Sequence, residues 1–170
     1  MLRKEDFPKE PIENLKDVLP SENFIENCKN KLKASGMLLY YFSCCGCGED
    51  VSEARRVVLA SDISEKLFVT KNPEEEFWSL SAKDLFETLL IFLAQDCGSN
   101  NPVKEFYNLL TMTQDIQKFS NKLEQFSQSD KGQQFSKIIQ RFMNNSDLTK
   151  AGIIAHMNTQ VLGFMRFDLV

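Results

Sequence analysis

Apolar residues recur along most of this chain at the three-and-four spacing of amphipathic helices, and one segment carries the pattern further than the rest. Between Asn72 and Asp96, the residues Trp78, Ala82, Leu85, Leu89 and Phe92 form a stripe, which Phe86, Leu90 and Leu93 widen until it nearly encircles the helix. Its start carries three independent signals. Asn72 can cap the first turn, Pro73 stands where a helix tolerates proline, and Glu74, Glu75 and Glu76 set negative charge at the positive end of the dipole. The pattern predicts a central core helix with Phe77, Trp78, Leu85, Leu89 and Phe92 as its anchors.

Shorter elements follow on either side. Three prolines and mixed charge without a period make residues 1–20 an exposed leader or linker. Ser21 caps a helix with Phe24, Ile25, Cys28 and Leu32 on one stripe, which Ser35-Gly36 ends. Met37 to Phe42, a short apolar run with two tyrosines and a phenylalanine, reads as a buried strand. Asp50 with Glu53 resembles a capping box, opening a helix through Phe68 that turns Ala54, Val57, Val58, Ser61, Ile63 and Leu67 inward. Asn101-Pro102 repeats the Asn-Pro start, with Val103, Phe106, Tyr107 and Leu110 on one face. Ile116, Phe119, Leu123 and Phe126 form the next stripe, and Phe135, Ile138, Ile139, Phe142 and Met143 form another after a break at Ser127 to Gly132. A closing helix from about Asp147 directs Ile153, Ile154, Met157, Val161, Leu162 and Met165 inward.

Six or seven helices joined by short polar turns predict an all-α compact bundle. The helix-glycine-strand order near 37–42 looks like the edge of a neighbouring α/β nucleotide-binding domain. The expected division is therefore a leader at 1–20, a helix-strand remnant at 21–48 and an all-α domain at 49–170.

Composition narrows the function. The chain has 170 residues, 42% hydrophobic and 26% charged, enough for a single domain with a sizeable core. Glu87 and Asp96 bracket the most apolar run, so no segment reaches membrane-span length, and the start MLRKEDFPKEP lacks a signal peptide's apolar region. A cytoplasmic chain is expected. The net charge of -4 is unevenly spread, with 12 basic against 18 acidic residues up to position 96 and 8 against 6 beyond it. Such a balance does not favour phosphate-driven binding, so nucleic acid is expected to be held poorly.

Candidate chemistry is sparse. Cys44, Cys45 and Cys47 could join Cys28, Cys97 or the single His156 on zinc, but they lack the separated C-x-x-C knuckles of structural zinc sites, and reduced thiols are the simpler reading. His156 has no cysteine, serine or carboxylate at a recognisable spacing and reads as a packing residue. The three glutamates at 74–76 have a sufficient role at the helix dipole without a magnesium ion. No G-x-x-x-x-G-K-[ST] occurs. No catalytic residue, metal or cofactor is therefore expected here.

The F-W-x-x-x-A-x-x-L pattern of Phe77, Trp78, Ala82 and Leu85 resembles the opening of the main helix in the all-alpha domain of type IV coupling proteins, the TraG/TraD-type hexameric ATPases of conjugation and type IV secretion. Met37 to Ser43 with Glu49 to Phe68 resembles the strand, loop and short helix that lead into that domain, and Arg141 to Phe167 resembles its closing element. The likeness covers roughly Met37 to Val170, and a three-cysteine loop at 44–47 departs from it. It implies a docking domain at the cytoplasmic face of the bacterial inner membrane, receiving adaptor proteins or exported substrates. ATP, magnesium and the hexamer contacts would belong to other parts of the parent, leaving this piece a monomer without catalysis. The residues themselves also fit a free-standing helical adaptor or secretion chaperone.

A partner surface is expected on the later helices, where Lys118, Lys122, Lys131, Lys137, Arg141 and Lys150 cluster, and an acidic protein is the natural complement.

Overall fold

The computed structural model describes residues 30, 33–34, 36–38, 40–42, 53–70, 72–95 and 101–165. Among the described residues, a helical segment within 30–42 is followed by α1 (Glu53–Leu67), α2 (Glu76–Gln95), α3 (Pro102–Met112), α4 (Ile116–Ser127), α5 (Ser136–Met143) and α6 (Asp147–Met165). Short 3-10 turns, Pro73–Glu75 and Gln133–Phe135, lead into α2 and α5. No strand occurs among the described residues, and the fold is an all-α bundle.

The ends of these helices follow from local chemistry. Asn72 accepts a hydrogen bond from the Glu74 amide at 3.1 Å, Asn101 from Lys104 at 3.0 Å and Asp115 from Lys118 at 3.0 Å, so each satisfies an otherwise orphaned donor. Ser146 does the same for Thr149 at the start of α6. Gly132 closes the turn after α4, where a Cβ would lie 1.7 Å from the carbonyl oxygen of Phe126. At the other end of α2, Arg56 reaches across from α1 and donates to the Ala94 carbonyl at 3.3 Å.

Helix α2 is the centre, packed mainly between α1 and α6 with α3 and α5 alongside. Ala82, Phe86, Leu89 and Leu90 are almost fully buried, as the near-continuous stripe requires. Small residues let α1 approach it closely. Ala60 and Ser64 are completely buried on the α1 face with Ile63 and Leu67, whereas Ala54 and Val58 point outward, contrary to the expected face. The hydrophobicity of Val58 misleads there, because close helix contact selects small side chains and Ser64 satisfies its hydroxyl on the Ser61 carbonyl and Glu87. Tyr107 is likewise outside, with Leu109 buried in its place.

The expected strand at 37–42 is not one. Every described residue from 30 to 42 is helical, Gly36 included, so the helix does not stop at the glycine. Leu38, Tyr41 and Phe42 are buried in the same core as the later helices. Tyr41 donates its hydroxyl to the Leu90 carbonyl at 2.7 Å, and the Phe42 ring stands 5.4 Å from that of Phe106. Aromatic content suits a strand only where a sheet receives it, and here a helix seats Tyr41 and Phe42 against α2 and α3.

Candidate docking surfaces

The residues expected to bind a partner are spread over three helices, α4, α5 and α6, and the turn that follows α4. Asp115 caps α4, which fixes the helix phase so that Lys118, Lys122 and Gln125 recur at steps of four and three along one side. Lys118 is exposed, and the Lys122 ammonium lies 5.4 Å from the centre of the Phe92 ring, a cation-π distance. An open depression of about 480 Å³ lies here, lined by Phe92 and Phe126, by Lys122, Gln125 and Lys131, and by Ser129 and Asp130. Among the described residues, Lys118, Lys122 and Lys131 form no ion pair.

The rest of the expected surface differs. Lys137 is exposed on α5, but Arg141, one turn later, is held by Asp84 at 3.3 Å. The Lys150 side chain is only 12% exposed and reaches Asp147 at 3.4 Å, so it leaves the candidate surface. Its aliphatic stem is covered because α6 lies on the bundle, and only the pairing with Asp147 marks its charged end. Sequence spacing found the lysines of α4 but missed Gln125 on the same helix and Phe92, which joins the site only through the fold, its ring meeting Lys122 and Phe126. For Gln125 the i, i+4, i+7 register of 118, 122 and 125 was the available signal.

The core anchors also separate. Leu85 and Leu89 are buried, Trp78 and Phe92 are partly buried, and Phe77 is 52% exposed. Phe77 precedes the point at which α2 is enclosed, so it packs edge-on against Trp78, with ring centres 5.1 Å apart, instead of entering the core.

Two acids on α2 are perturbed. Burial raises the pKa of Asp84, an effect that the charges of Arg141 and Lys83 oppose without cancelling. Burial likewise raises Glu87, against the hydrogen bond from Ser64 and the charge of Lys83. Asp84 borders a small cleft of about 20 Å³ among α2, α5 and α6, room for about one water.

His156 accepts or donates through Nε2 to the Ser79 hydroxyl at 3.1 Å, tying α6 to α2. No third group bonds its other ring nitrogen among the described residues, so the pair lacks the orienting partner of a nucleophilic site. No group of three or more His, Cys, Asp or Glu side chains converges among the described residues. Cys28, Cys44, Cys45, Cys47 and Cys97, and with them the loop that departs from the family pattern, lie outside the described residues.

No described helix is long and apolar enough to cross a membrane. No protein-family model, curated protein or solved structure matches this chain.

Proposed function

We propose that this chain is an all-α docking module that recruits an acidic protein partner through α4, with no catalytic step of its own. The observation that carries the reading is the one-sided row of Lys118 and Lys122, joined by Lys131, beside a depression in which Phe92 and Phe126 form an aromatic wall and Asp130 is the one acidic lining residue. Lysines without carboxylate partners steer an acidic surface, and the aromatic wall supplies an anchor that charge alone lacks.

In the fuller form of the proposal the module belongs to a type IV coupling protein and receives an adaptor or exported substrate at the inner membrane's cytoplasmic face. ATP and magnesium would act elsewhere in that parent. What supports this form is that two stretches carrying the resemblance pack on one another: Trp78 of α2 lies against Gly152 of α6. A second reading, a free-standing helical adaptor or secretion chaperone, draws on a different observation. Leu38, Tyr41 and Phe42 are seated in the chain's own core as helix, where a displaced edge strand was expected.

Affinity capture with this chain as bait, run beside Lys118→Glu/Lys122→Glu, tests the proposal. Recovery of an acidic adaptor or exported substrate should fall with the double reversal, and should weaken as salt is raised, because the Debye length shortens. Recovery that ignores the reversal removes α4 from the reading. Partners unrelated to secretion would leave the coupling-protein form without support and favour the adaptor.

A further inference from the structure

A second surface, at the start of α2, has the opposite chemistry. Phe77 and Leu80 are each 52% exposed and one turn apart on α2, and Val69 in the preceding connection is 47% exposed. Large apolar side chains left out singly are ordinary, but Leu80 and Val69 border one depression of about 410 Å³ with Phe68, Pro73 and Ser79. Trp78, the only tryptophan, stands against Phe77 at the side of this patch.

The rim says what can cover it. Glu74, Glu75 and Glu76 are all exposed, Glu76 lines the depression itself, and none of the three forms an ion pair among the described residues. The nearest lysine along α2, Lys83, is occupied by Glu65 at 3.3 Å. Three carboxylates in the first turn suit the helix dipole, yet they still leave a negative border around an apolar centre. That border repels phosphates, whether on nucleic acid or on an anionic bilayer, and attracts lysine and arginine.

We infer that this patch binds a basic amphipathic segment of a partner protein, with leucine-like side chains entering the depression by Leu80 and flanking lysines or arginines meeting Glu74, Glu75 and Glu76. The site is separate from the lysine row of α4 and of reversed charge. A chain with both can hold two partners of different character.

Trp78 fluorescence reads the test directly. The probes are three tryptophan-free helical peptides of about 14 residues: leucine on one face with lysine on the flanks, the same with glutamate flanks, and the lysine peptide with its leucines changed to serine. The lysine-leucine peptide should change the emission saturably, and the other two should bind at least about tenfold more weakly. Leu80→Glu, at a half-exposed position, should weaken the lysine-leucine peptide by about tenfold or more without lowering the urea midpoint substantially. Lys118→Glu/Lys122→Glu should leave that binding unchanged, which separates this inference from the proposal for α4. Equal binding of the lysine-leucine and glutamate-leucine peptides, equal binding of the serine peptide, no saturable change, or indifference to Leu80→Glu would each overturn it.

Discussion

Gly152 is the residue on which the joint between α2 and α6 depends. A Cβ there would lie 2.6 Å from Cζ3 and 3.0 Å from Cη2 of Trp78, so the indole occupies the space a side chain would need. Alanine is the better helix former by about 1 kcal/mol, whereas overpacking costs about 1–3 kcal/mol, and the rigid indole makes the second effect the larger. Gly152→Ala should therefore destabilise the chain by about 1 kcal/mol in urea unfolding, and the same change beside Trp78→Leu should become neutral or stabilising. Glu87 supplies a second measurable effect at this scale. Burial raises its folded-state pKa above the unfolded value of 4.5, so the folded chain binds its proton at higher pH than the unfolded chain does. The resulting penalty is full above the raised value and is relieved as pH falls through it toward 4.5. Glu87→Gln keeps an acceptor for Ser64 and should raise the urea midpoint at pH 7.5, with the gain shrinking as pH approaches 4.5. A gain independent of pH would show that burial of the carboxylate is not its source.

At the scale of elements, the helical segment before α1 is fastened to α2 by a tyrosine hydroxyl. Tyr41→Phe removes its bond to the Leu90 carbonyl while keeping the ring, and should cost about 1 kcal/mol, the net value of one such bond. Calorimetry or urea unfolding would measure it, and a change below a few tenths of that size would mean that the ring alone holds the segment. The same segment marks where sequence reading fails. The caps at Asn72 and Asn101 were legible because each acts within three residues of itself, and the stripes of α4 and α5 were legible because each helix buries a single face. Met37 to Phe42 carries no such local signal. Six apolar residues satisfy either period, Gly36 suggests a stop, and what settles the segment as helix is contact with Leu90 and Phe106, far along the chain. The docking surfaces were half legible for the same reason: Lys118 and Lys122 lie on one stripe, but their aromatic neighbour Phe92 belongs to another helix.

Across the whole molecule, the modest net charge of -4 conceals a separation. Acidic residues prevail up to position 96, and the exposed glutamates at the start of α2 belong to that part, while the lysines of α4 belong to the basic remainder. A bulk value such as the pI of about 5.1 therefore says little about what either surface attracts. The connectivity of the bundle also sets a timetable for its synthesis. Helix α2 is enclosed by α1, made just before it, and by α6, which begins roughly 50 residues after α2 ends. At a ribosomal rate of about 5–20 residues per second, that interval leaves one flank of the most apolar helix without its cover for several seconds. The nascent chain, rather than the finished one, is then the form that most needs a chaperone, and slowing translation between α2 and α6 should lengthen that dependence.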